Sequence, residues 1–138
     1  MIRVRSVLFA ALALALAGCS SGGSGPKPVK VRGTVNLDGH PMSTGRVTFE
    51  GSVPGAPVLE VKDMDVKDGV FEGVASPGKK TVRITMNKKV PPPKGMTGPE
   101  YENVQVNVIP ARYNSESKQT VEVTEGGPNE FTFEVKSK

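Results

Sequence analysis

Three observations predict an all-β chain folded as a single antiparallel Greek-key β-sandwich of about seven to eight strands. After position 28, apolar residues recur at every second position. The stripes are short and are separated by Gly, Pro, Asn and Asp. No segment in that region repeats its apolar residues with the period of a helix. With 138 residues, the chain is long enough for one domain and too short for two.

Residues 1–18 have the layout of a signal peptide. Arg3 and Arg5 open it, an apolar run from Val7 to Ala17 follows, and small residues precede a cleavage point. The run is about half of the roughly 20 residues that a membrane-spanning helix needs. Cys19 is the single cysteine, so it has no partner for an intramolecular disulfide and needs another explanation. Residues 19–28 read as a flexible tether, since Ser20 to Pro28 (SSGGSGPKP) carries no apolar periodicity. The sandwich domain is assigned to residues 29–138.

Val29, Val31, Gly33, Val35 and Leu37 share one face of the first strand, and Asp38-Gly39 marks a turn. Val47 and Phe49 alternate with Arg46, Thr48 and Glu50. Between Val58 and Val66 the parity changes. Leu59 and Val61 share one face, Met64 and Val66 the other, which predicts a bulge near Lys62–Asp63. Asp68-Gly69 is a second turn and Pro77-Gly78 a third. Val82, Ile84 and Met86 form the next stripe, then Val104, Val106 and Val108, then Val121 and Val123, and finally Phe131, Phe133 and Val135. The connector from Lys89 to Asn103, with Pro91-Pro92-Pro93, predicts an extended surface loop. The expected core includes Phe49, Phe71, Ile84, Val106, Val121, Phe131 and Phe133.

Two resemblances bear on these segments. Leu16-Ala17-Gly18-Cys19 resembles the lipobox of bacterial lipoproteins at all four positions. That resemblance implies cleavage between Gly18 and Cys19, a diacylglycerol thioether on Cys19, and acylation of the new amino terminus by a fatty acid such as palmitate. Ser20 after the cysteine fits outer-membrane sorting. The domain itself resembles the transthyretin-like, carboxypeptidase regulatory-like sandwich. The similarity rests on Val31-Arg32-Gly33-Thr34-Val35 with the Asp38-Gly39 turn, on Gly45 to Phe49, on Asp68-Gly69-Val70-Phe71, and on Pro77 to Ile84. Lys80 stands in that last segment where an aromatic is usual. The tail, from Ile109-Pro110-Ala111-Arg112-Tyr113-Asn114 through Asn129 to Phe133, is similar to short planctomycete lipoproteins, a group with no established activity.

Composition narrows the chemistry. Aromatic residues make up 5% of the chain, there is no tryptophan, and His40 is the single histidine. Of the 18 basic residues, Arg3 and Arg5 lie in the leader; without these two the basic residues nearly balance the 14 acidic ones, which argues against nucleic-acid binding. One histidine and no H-x-x-E spacing exclude the zinc site of the metallocarboxypeptidases, and the Tyr-Arg-Gly-Ser ending of the transthyretin-like hydrolases is missing. No serine sits in a nucleophile elbow. Asp63, Asp65, Asp68 and Glu72 offer oxygen ligands for calcium, but not at EF-hand spacing, and Asp68 already has a turn role.

Lys79, Lys80, Lys88, Lys89 and Lys94 read either as a basic patch near the proline loop or as a solvated edge that guards against strand mispairing. Lys89, Lys94, Arg112 and Tyr113 form the candidate binding surface, although Tyr113 could equally pack back on the sandwich. The expectation is an exported module, lipid-anchored to the cell envelope. It is neither an enzyme nor dependent on a cofactor or metal. Its partners are the membrane and an envelope protein or glycan. The alternative is a carrier or accessory subunit for a small ligand or nutrient, using the end loops.

Overall fold

The computed structural model describes residues 25–137. Residues 25–28 run without regular structure into β1 (Val29–Leu37), and β2 (His40–Pro41), β3 (Thr44–Ser52), β4 (Leu59–Lys67), β5 (Val70–Ala75) and β6 (Gly78–Thr85) follow. A small two-stranded ribbon of β7 (Asn87–Lys89) and β8 (Gln105–Asn107) comes next, then β9 (Thr120–Val123) and β10 (Glu130–Val135).

The two Asp-Gly turns set the local geometry. Asp38 and Gly39 both have positive φ, 52° and 84°, and so do Asp68 and Gly69, at 50° and 78°. Positive φ at both central residues is what a two-residue type I′ hairpin requires, and its twist matches the strands on either side. The first turn folds β2 back onto β1, pairing Leu37 with His40. The second joins β4 to β5, pairing Lys67 with Val70.

Hydrogen bonding runs along one path, β10-β1-β5-β4-β3-β6-β9, with β2 beside β1. The path curls over so that its two halves face each other as the layers of a sandwich. Neighbouring strands are antiparallel except β1 and β10, which run parallel. At the fold between the halves, β4 and β5 share only two residue pairs, Val66 with Phe71 and Lys67 with Val70. The remainder of β4 is bonded to β3 alone.

The ring contacts prove the two-layer arrangement. Phe49 of β3 meets Phe71 of β5 and both Phe131 and Phe133 of β10, edge to face, at centroid distances of 6.1, 5.7 and 6.5 Å. Within the opposite layer, Phe133 lies nearly parallel to Phe71 and to Phe131. Gly33 makes this possible, because a Cβ there would stand 2.8 Å from the Phe71 ring. Val31, Val35, Val47, Val82, Ile84, Val123 and Val135 complete the buried centre. The outer face of β1 and β10 is a ladder of polar pairs. Arg32, Thr34 and Asn36 of β1 bond to Glu130, Thr132 and Glu134 of β10.

Three expectations are corrected. First, β4 has no bulge: Thr44 to Ser52 pair with Lys67 to Leu59 without interruption. The face with Met64 and Val66 points inward along the whole strand, so Glu60 turns in, while Leu59 and Val61 face solvent. Second, Val106 is 42% exposed, because β8 belongs to the ribbon and not to the core. Third, Lys80 is no part of a solvated edge; it is wholly buried.

Register also orders the two ends of the molecule. Val29 pairs with Ala75, Ser52 with Leu59, and Gly78 with Val123, so these residues share one end. Leu37, Thr44, Lys67, Thr85 and Val135 share the other. The nine residues of β1 separate the ends by roughly 30 Å. Gly25, where the described chain begins, lies at the first end: a Cβ on it would touch Val53 Cγ1 at 3.9 Å.

Candidate functional site

The interior changes character toward the end that holds Gly25. Lys80 has the same strand parity as Val82 and Ile84, so it points into the sandwich. Gly51 on β3 leaves room for it, since a Cβ there would stand 2.9 Å from Lys80 Cδ. A buried ammonium costs several kcal/mol unless it is neutralised and fully hydrogen-bonded.

Three different stretches supply that environment. Glu60 Oε2, from β4, lies 3.0 Å from Lys80 Nζ. Nζ donates to Ser76 Oγ at 2.8 Å and to the Ser52 carbonyl at 3.1 Å. An ammonium has three protons, and three acceptors take them. Ser76, in the link between β5 and β6, donates its backbone N–H and its hydroxyl to the same Glu60 oxygen, at 3.0 and 2.6 Å.

Burial by itself raises the Glu60 carboxyl, but the hydrogen bonds from Ser76 and Lys80 outweigh it and hold the group below the ordinary glutamate range. Lys62 adds a weaker contact, 3.8 Å from Glu60 Oε1. Chemically the cluster is closed. The hydroxyl of Ser76 is buried with its proton committed to Glu60, and no ammonium proton of Lys80 remains for a substrate.

Sequence reasoning missed this cluster, yet its signals were present. Lys80 continues the inward parity of Val82, and Glu60 has the inward parity of Met64. The parity change that suggested a bulge was the same fact seen from β4.

The sequence-derived candidates fall in several places. Gly18 and Cys19, with the rest of the leader and the start of the tether, lie outside the described residues. Lys89 ends β7, and Lys94 lies in the loop that joins β7 to β8; both are exposed. Arg112 and Tyr113 belong to a 3₁₀ turn, Ala111–Tyr113. The Arg112 guanidinium stacks 4.9 Å above the Tyr113 ring and donates to the Lys136 carbonyl at 3.2 Å. The Tyr113 oxygen accepts the Lys136 N–H at 3.2 Å, and its ring packs on the core. A hydrogen bond from Arg112 lowers the Tyr113 phenol below its ordinary value. The fold thus unites Arg112 and Tyr113 with Lys136, while Lys89 and Lys94 belong to the ribbon and its loop. Both groups sit at the end away from Gly25.

His40 is exposed in β2, with Nδ1 3.2 Å from the Asp38 carbonyl. The four carboxylates considered for calcium do not converge. Asp63 and Asp65 flank Arg46, at 3.6 and 3.5 Å, and Asp63 also accepts the Thr48 hydroxyl at 2.6 Å. Asp68 is held in its turn, and Glu72 projects from β5. Among the described residues, no three acidic, histidine or cysteine side chains gather in metal-binding geometry.

Fold and cluster together define a class: an all-β sandwich closed in the middle by aromatic rings and at one end by a buried ion pair. No known protein family, curated protein or solved structure matches the chain.

Proposed function

We propose that this protein is a lipoprotein of the bacterial cell envelope, anchored through Cys19, whose sandwich has a non-catalytic binding or structural role at the envelope surface. The observation that carries the reading is the filled interior. The rings of Phe49, Phe71, Phe131 and Phe133 occupy the space between the layers and touch one another, which favours a solid scaffold over a carrier with an internal chamber. The closed chemistry of the Lys80 cluster supports the non-catalytic part. The partner side is the end bearing Arg112, Tyr113 and the lysines Lys89 and Lys94, where an envelope protein or glycan would be met. The transthyretin-like resemblance and the likeness to planctomycete lipoproteins belong to this same reading.

The anchoring half is tested with Cys19→Ala in the full chain. The variant should leave the membrane fraction or accumulate unprocessed, and it should lose incorporated labelled fatty acid. A variant that stays with the membrane and keeps its label would overturn the reading. Crosslinking from native membranes, with and without Arg112→Ala and Tyr113→Ala, tests the partner side.

A further inference from the structure

The end of the sandwich that holds Gly25 carries an apolar surface with no counterpart in the core. Val58, Leu59, Val61 and Val74 are 56, 64, 54 and 48% exposed. Val53-Pro54-Gly55-Ala56-Pro57-Val58-Leu59 contains no charged residue, in a chain that is 23% charged. The loop turns back on itself, with the Ala56 N–H donating to the Val53 carbonyl at 3.1 Å, and Pro54, Pro57, Val58 and Leu59 are exposed. Leu59 and Val61 face outward because Glu60 between them turns in to neutralise Lys80. Val74 on β5 lies at the same end, since Ser76 two residues on bonds to Glu60. Exposed apolar side chains gathered at one end of a domain mark a contact with a partner or a membrane.

The position of the tether selects between those occupants. A Cβ on Gly25 would touch Val53, so the chain reaches the domain beside this loop. From Cys19 to Gly25 it spans about 20 Å at full extension. A lipid on Cys19 therefore keeps this end, and not the opposite one, close to the bilayer. We infer that Val58, Leu59, Val61 and Val74 rest on the lipid surface, so that the sandwich stands on its apolar end and holds the ribbon and Arg112 away from the membrane. Burial of these side chains at the headgroup boundary adds to the anchoring by the acyl chains. The inference rests on the proposed lipidation of Cys19.

The chain has no tryptophan, so one can be introduced as a sole reporter. The full lipidated protein is reconstituted in vesicles of phosphatidylethanolamine and phosphatidylglycerol, with and without brominated acyl chains. Leu59→Trp should emit at shorter wavelength than Val106→Trp, which reports from the far ribbon, and brominated lipid should quench only the former. Mass spectrometry of the same samples reads the modification on Cys19. Lipid on Cys19 with no quenching of the Leu59→Trp variant overturns the membrane-contact inference alone. An unmodified Cys19 overturns it together with the anchoring. A blue-shifted Leu59→Trp emission that brominated lipid does not quench assigns the patch to a second copy of this chain, and overturns it as well.

Discussion

The middle of the sandwich and its tether-side end are closed by opposite means. In the middle, four phenylalanine rings meet across the layers. At the end, Lys80 and Glu60 occupy positions that would otherwise take an apolar pair. Rings ask only for space and complementary shape, and any apolar wall satisfies them. A buried ammonium asks for one particular partner in one particular place. The ring cluster therefore supplies cohesion, while the ion pair dictates which face of β4 turns inward. A consequence reaches the surface: with Glu60 inside, Leu59 and Val61 must be outside.

This contrast breaks most visibly at Phe49, which touches the other three rings of the cluster. Phe49→Ala should cost about 3–5 kcal/mol in urea-induced unfolding. A loss no larger than that of a surface substitution would mean that the rings do not hold the layers together.

The other half of the contrast is sharpened by comparing one substitution with two. Glu60→Ala leaves Lys80 buried among neutral acceptors and should cost about 3 kcal/mol, the low end for a broken buried pair because Glu60 keeps 11% side-chain exposure. Glu60→Leu combined with Lys80→Met should recover that loss, since an apolar pair of similar volume commonly equals a buried ion pair in stability. A double variant as unstable as the single one would show that the pair contributes more than its own neutralisation.

Acid gives the smallest effect. Glu60 is held below the ordinary glutamate range in the folded protein, first against its burial and then by Ser76 and Lys80. Its contribution to stability is therefore fully present above the unfolded-state value and is lost as pH falls through the folded-state value. Asp38, lowered by its hydrogen bond with Ser137, adds to the same acid slope. The slope of thermal midpoint against pH below neutrality should be shallower in the Glu60→Leu, Lys80→Met double variant than in the native chain. Equal slopes would remove Glu60 from the acid response.

Much of the framework was legible in advance. Phe49, Phe71, Ile84 and Phe133 are buried as their alternation suggested, and Val121 and Phe131 pack against the core partly buried. Val106 was misread because a two-residue alternation looks the same in a core strand and in a ribbon that projects from it. The candidate pair Arg112 and Tyr113 does form a joint feature, but its third member, Lys136, lies on the far side of the sequence.

The alternating stripes and the two Asp-Gly turns were determined by the sequence alone, because alternation and a positive-φ turn each depend on residues adjacent in the chain. The parallel partnership of β1 with β10, the inward turn of Lys80 and the outward turn of Leu59 were decided only by the tertiary structure. The physical reason is that burying a charge is a property of a pair. Glu60 and Lys80 become neighbours only once β4 and β6 have both aligned on β3, and no local pattern encodes that meeting.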